Sequence, residues 1–335
     1  MWEKVFEGWK EKLSQLNEQL LDKYQGQANL STSELRTLLL KQSKGEFRHL
    51  RKLGEKEIKD YLKGLSILGV DGSVNTVGST FPHYLTLFQA LAKSSKKEEG
   101  FVLEKDVHTP LISQERQKMV AQAKEEEIPL GMIQEQIKNT RLAKLELEVA
   151  RKALDKFQPA LIIFDGPLWR YQKKAPELWA EFVELVLAKG VLLAGIVEEV
   201  SSGLLNQLLA DHLPESMQDM YDRELLFGLL EKGEVLEFQG RELKEGFLTC
   251  FLRPSSDPAV VAFDFLTQQG KELRPLVDFL FTLTPAEGRG VPLWLDIVDK
   301  EVRITKQLMD GLLNSTLAPQ LKNKLLLPKR LNRIY

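Results

Sequence analysis

One cysteine and four histidines among 335 residues leave little room for thiol or imidazole chemistry. Cys250 stands alone, which excludes an internal disulfide framework and a cysteine-based zinc site. It lies in the apolar run FLTCFL and is expected to be a small buried hydrophobe. His49, His83, His108 and His212 are scattered without metal-ligand spacing, so each reads as structural or surface. No Ser–His–Asp or Cys–His set is legible. No apolar run reaches the ~18–20 residues of a membrane span. The N-terminal MWEKVFEGWKEKL carries mixed charge and lacks the apolar core of a signal peptide, so a cytoplasmic location is expected. No GxxxxGK(S/T) loop occurs, which argues against a P-loop enzyme. An excess of charge of one sign is missing as well. Lys and Arg number 46 against 48 Asp and Glu, a net −2, so a nucleic-acid contact would need basic residues gathered locally.

What is present is an α/β pattern. Residues 1–63 read as a helical N-terminal region. Trp2, Val5, Phe6, Trp9, Leu13, Leu16 and Leu20 recur at three- and four-residue spacing, a stripe suited to core or dimer contact. A second helix follows the N-cap sequence Ser31-Thr32-Ser33-Glu34, and a third runs from about Glu55 to Leu65. Strands are expected at Leu65–Val70, over HYLTLFQALA, and over GFVLEKDVHTPLI beyond a charged turn. Helix follows from Ser113 to Phe157, broken near Pro129. LIIFDG, an acidic helix over Pro176–Lys189 and VLLAGIV then give the β–α–β order of parallel pairing. Helices at 202–211 and 218–232, strands GEVLEF, GFLTCFL and AVVAFDFL, and helices near 271–282 and 292–313 complete a domain over 64–315. Residues 316–335 read as a basic tail.

The sharpest chemistry lies in carboxylates. LSILGVDGS and LIIFDGPL each carry an apolar run to Asp-Gly, about ninety residues apart, and so place Asp71 and Asp165 at one sheet edge. In the helix Asn139–Phe157, Glu146 falls inside the apolar stripe of Leu142, Leu145, Val149, Ala150, Ala153 and Phe157, whereas Glu148 points away. A buried carboxylate costs several kcal/mol unless a cation or a metal meets it. An Arg or Lys partner is one solution, a shared metal the other. In VPLWLDIVDKEVRIT, Asp299 lies within the stripe of Leu295, Val298 and Val302, with Asp296 beside it one turn earlier. Four hard-oxygen groups suit one or two Mg²⁺ or Mn²⁺ ions better than zinc.

GVDGS at Gly69–Ser73, RLAKLELEVA at Arg141–Ala150, FDGPL at Phe164–Leu168 and PLWLDIVD at Pro292–Asp299 resemble, in order and separation, the NurA nucleases. DRELLFGLLEKGE at Asp222–Glu234 resembles a further segment of that family. The resemblance implies a ribonuclease H-like core and a manganese- or magnesium-dependent deoxyribonuclease. It implies 5′ to 3′ exonuclease or single-strand endonuclease action in DNA end resection and repair. It further implies a homodimer, and work with the hexameric ATPase HerA. Asp71, Glu146, Asp165 and Asp299 would then be the catalytic, metal-binding carboxylates, holding two ions in all. Asp299 stands where many members have histidine, and Val291 where many have tyrosine. Two rivals come from other classes. One is an actin-like ATPase or sugar kinase, for which VDGSVNTVGS would imitate a phosphate loop, although FDGPL is followed by Trp169-Arg170-Tyr171 and offers no second cradle. The other is a non-catalytic adaptor of the same fold, which Mn²⁺ binding would distinguish from a nuclease.

Overall fold

The computed structural model describes residues 2–25, 29–238 and 242–326. The chain opens with α1 (Trp2–Gln25), α2 (Thr32–Ser43), β1 (Gly45–His49) and α3 (Glu55–Leu62). There follow β2 (Ile67–Thr80), β3 (His83–Ser94), β4 (Phe101–His108), α4 (Ser113–Glu125) and α5 (Leu130–Phe157). Next come β5 (Leu161–Asp165), α6 (Trp169–Lys174), α7 (Pro176–Ala188), β6 (Leu192–Val197), α8 (Leu204–Leu209) and α9 (Asp222–Leu226). The last elements are β7 (Glu234–Phe238), β8 (Phe247–Arg253), β9 (Val261–Leu266), α10 (Leu273–Thr282), α11 (Leu293–Val302), α12 (Lys306–Thr316) and α13 (Pro319–Leu325).

Contacts divide the chain into two compact units. The first takes Met1–Leu50, Glu198–Ala262 and Ala286–Gly290. In it β7 pairs antiparallel with both β1 and β8. Ser31 and Glu34 close a reciprocal capping box at the start of α2. Two buried carboxylates on β7 are met by arginines, Arg36 bidentate on Glu234 at 2.6 and 2.8 Å and Arg48 on Glu237 at 2.8 Å. Asp222, fully buried, accepts the Leu204 and Leu205 amides and the Ser202 hydroxyl, and so fixes the first turn of α8.

The second unit takes Arg51–Val197, Phe263–Pro285 and Val291–Tyr335. Five of its strands lie in the order β4-β3-β2-β5-β6. The β2–β3 and β3–β4 pairs are antiparallel, and the β2–β5 and β5–β6 pairs are parallel. Three antiparallel strands followed by two parallel ones, with the first strand in the middle, form a ribonuclease H-like core. The sheet is mixed and flanked by helices. Successive side chains of a strand alternate between its faces. Gly69 meets Val298 and Trp294 of α11 on one face, while Gly72 meets Glu146 and Leu142 of α5 on the other.

Three local expectations are corrected. The strand expected at Leu65–Val70 does not stop there: β2 runs on to Thr80, because β3 pairs with it residue by residue from Leu68 to Gly78. The expected helix 292–313 breaks at Arg303–Thr305. Ile304 is drawn onto β2, its amide donating to Ser73 Oγ and its carbonyl accepting from Asn75, and Thr305 then caps α12. The N-terminal stretch read as helical also contains β1, whose partner β7 lies far along the chain. Of the basic tail, Pro319–Leu325 is helical and residues 327–335 lie outside the described residues.

Candidate active site

β2 and β5 are paired in parallel from Ile67↔Leu161 to Val70↔Phe164. One step beyond that last pair, each strand presents its aspartate, Asp71 and Asp165. On the far side of β5, Asp165 remains in register with Ile196 of β6. On the far side of β2, Asp71 remains in register with Leu91 of β3. Both backbones are therefore held by neighbouring strands at the point where the two part. Glu146 comes from α5, which packs on β2, β3 and β4. It is buried to 1% exposure, as its place in the apolar stripe predicts, and Glu148 is exposed. Gly72 makes the approach possible, since a Cβ there would stand 2.4 Å from Glu146 Oε1 and 2.7 Å from Leu142 Cδ1.

The electrostatics tie the four carboxylates together. Burial first, then the charges of Asp165, Glu146 and Asp299, push the Asp71 carboxyl from its ordinary 3.8 up to about 8. The Gly72 amide, donating to Asp71 Oδ1 at 2.7 Å, opposes this only in part. Glu146 is raised as well, by burial and by Asp165, against the pull of Arg170 and the Tyr171 hydroxyl. Asp299 is half-buried on α11 and accepts from Arg303 one turn on, at 2.8 Å.

Two further residues belong to the site, and they were not legible as such in the sequence. Arg170 Nη2 donates to Glu146 Oε2 and, at 2.8 Å, to the Tyr171 hydroxyl. Tyr171 in turn donates to Glu146 at 2.8 Å. Phe164 at 4.8 Å and Trp179 at 5.9 Å, ring to ring, wedge the Tyr171 ring in place. Burial works against the Arg170 charge, but Tyr171, Glu146 and Asp71 hold the guanidinium protonated. Its buried Nε has no hydrogen-bond partner among the described residues. The clue lay in the WRY that follows FDGPL: one turn of helix after the strand returns a cation toward the strand end.

Among the described residues no group of three or more His, Cys, Asp or Glu side chains stands at metal-holding spacing. Glu146 is turned to Arg170, and Asp299 to Arg303. The donor set nevertheless fits a hard divalent cation, because three carboxylates that raise the proton affinity of Asp71 make the charge pattern such an ion relieves.

Residues 65–304 match the NurA domain. The chain belongs to the NurA family of nucleases. The NurA match spans β2, α5, β5 and the whole of α11, and thus every one of the four carboxylates. No curated protein matches the chain by sequence. Solved structures similar to it include endonuclease V from Bacillus subtilis, at 12% identity and TM-score 0.37 over 88% of this chain and 98% of that one. The catalytic domain of human endonuclease V is 13% identical, with TM-score 0.36 over 84% and 95% of the two chains. Kluyveromyces polysporus Argonaute with a guide RNA is 12% identical, with TM-score 0.36 over 74% and 29%. These likenesses are loose, and the fold assignment rests on the strand order.

Proposed function

We propose that this NurA chain is a divalent-metal-dependent deoxyribonuclease whose catalytic carboxylates are Asp71, Glu146, Asp165 and Asp299. The observation that carries this is the crowding at Asp71, where burial and three other carboxylates drive its carboxyl up to about 8. Such a cluster is costly by itself and is stabilised by a cation. Asp71 and Asp165, on paired strands, would hold one or two Mn²⁺ or Mg²⁺ ions, with Glu146 and Asp299 completing the set. When bound, such ions activate water for attack on a phosphodiester and stabilise the departing oxygen.

The chain's own groups supply position and charge. β2 and β5 fix the two aspartates on strands that cannot swing. Tyr171 holds Glu146 in one orientation through its hydroxyl. Arg170 compensates Glu146 while no other cation is there, and its planar donors suit a phosphate once Glu146 has another partner. Deprotonation of Asp71 is the step that prepares the site, and it favours neutral to alkaline pH.

End resection, by 5′ to 3′ exonuclease or single-strand endonuclease action, is the task proposed for it, together with a HerA-type ATPase and a second copy of the chain. Support for the ATPase comes from the family and from the lack of a P-loop. One observation favours a non-catalytic adaptor instead, namely that Glu146 already has a cation in Arg170.

End-labelled single- and double-stranded DNA, digested in Mn²⁺, Mg²⁺ or EDTA, separates the two. Wild type is expected to cut only with metal, and Asp71→Ala to lose at least two orders of magnitude of that rate. The product ladder reports polarity. If Asp71→Ala cuts as fast as wild type, the assignment of the site is wrong. If wild type cuts in no metal, with or without HerA, the adaptor is the better description.

A further inference from the structure

Between α4, α5 and α6 lies a cleft of about 490 Å³ that the carboxylate chemistry does not use. Five basic side chains line it, Lys118, Arg141, Lys144, Lys173 and Lys174, against a single acid, Glu115. In a chain of net charge −2 with nearly equal numbers of acids and bases, that ratio is a local departure. The Glu115 charge is already engaged, accepting from Arg141 at 3.1 Å and facing Lys118 at 3.4 Å. Among the described residues, Lys144, Lys173 and Lys174 have no carboxylate within ion-pair distance. Lys144 and Lys173 are exposed and Lys174 half-exposed.

The cleft also has a direction. Lys173 and Lys174 follow Arg170 by three and four residues on α6, so they lie on its face of the helix, about one turn or ~6 Å along the axis. Arg170 itself touches Glu146. Cations thus run from the carboxylates along α6 to Lys144 and Arg141 on α5. Such a row offers point charges to a chain of phosphates, and it steers a polyanion toward a centre that would otherwise repel it. Uncharged Ile137, half-buried, lies among these cations and presents apolar surface, while Met119 at the cleft wall is buried.

We propose that this cleft seats a single DNA strand on its way to the carboxylates, its phosphates held by Lys144, Lys173 and Lys174. The choice of DNA as occupant rests on the nuclease reading; the charge arrangement does not.

The test is fluorescence anisotropy of a labelled single-stranded oligonucleotide with the full chain in EDTA, where nothing is cut, between about 50 and 200 mM salt. The triple variant Lys144→Ala/Lys173→Ala/Lys174→Ala is compared with wild type and with a control, Lys56→Ala/Lys97→Ala/Lys306→Ala, taken from exposed lysines elsewhere. Each single-strand phosphate contact contributes ~0.7 to the slope of log affinity against log salt, so the cleft variant should lose about 2 in slope and on the order of 10- to 100-fold in affinity. The control should lose neither, and circular dichroism should show all three equally folded. An unchanged slope in the cleft variant overturns the proposal, as does an equal loss in the control or an absence of DNA binding by wild type. Displacement of the strand by polyglutamate more readily than by unlabelled DNA assigns the cleft to an acidic protein segment and also overturns it. The metal-dependent digestion reports on the nuclease reading separately: cutting with an unmoved slope removes only the cleft, and a reduced slope without cutting removes only the nuclease.

Discussion

A carboxylate taken out of water must keep its proton or acquire a cation. Glu146 is paired directly with Arg170, whereas Asp71 accepts from the Gly72 amide and has three like charges around it. Its folded-state pKa of about 8 lies above the ordinary 3.8. Below pH 4 both folded and unfolded chains carry the proton, so the group is neutral to stability there. Between about 4 and 8 the unfolded chain releases it first, and the folded state loses ground steadily as pH rises. Asp71→Asn removes that slope. In EDTA its thermal midpoint should exceed that of wild type by several degrees at pH 8 and by much less at pH 5. Added Mn²⁺ should raise the wild-type midpoint and leave Asp71→Asn nearly unmoved. Scanning calorimetry at the two pH values checks both, and equal shifts at pH 5 and 8 would remove Asp71 from the centre of the cluster.

At the scale of elements, β2 is clamped between two helices, and a glycine faces each. At Gly69 an added Cβ would stand 2.8 Å from Val298 of α11, and at Gly72 it would stand 2.4 Å from Glu146 of α5. Glu146 cannot yield easily, because Arg170 and Tyr171 hold it. Gly72→Ala should therefore cost ~1–3 kcal/mol in overpacking and push α5 off the strand. Urea unfolding checks the first part, and loss of Mn²⁺-induced stabilisation the second. The same elements mark where sequence reading stops. The apolar runs into Asp-Gly, and Glu146 within its stripe, were readable because both obey local periods. The continuation of β2 past Asp71 was not, because Gly72, Asn75 and Gly78 have the composition of a turn and only β3 makes them strand. Strand β1 was missed for a like reason, since its Arg48 finds Glu237 at a separation of 189 residues. Arg170 and Tyr171 carry no periodic signal; their meaning comes from a contact with α5.

On the scale of the whole molecule, α1 presents an apolar stripe that its own chain leaves in solvent. Phe6, Trp9, Leu13, Leu16 and Leu20 are between 44% and 71% exposed and alternate by three and four residues. That spacing is the one a two-stranded coiled coil uses for its seam, and it is consistent with the homodimer proposed above. Trp9→Glu/Leu13→Glu should convert a dimer to a monomer in sedimentation velocity without changing the secondary structure. A dimer that survives the double substitution would move the interface elsewhere. The order of the chain also sets the order in which the proposed carboxylates are made. Asp71, Glu146 and Asp165 lie within the continuous stretch from β2 to β6, which leaves the ribosome before α11 does and folds before it if domains form as they emerge. Asp299 arrives only with α11, after the excursion through Glu198–Ala262 into the other unit. A chain built in this order holds three of the four proposed carboxylates before α11 is made, so a fragment that stops short of α11 should lack the fourth.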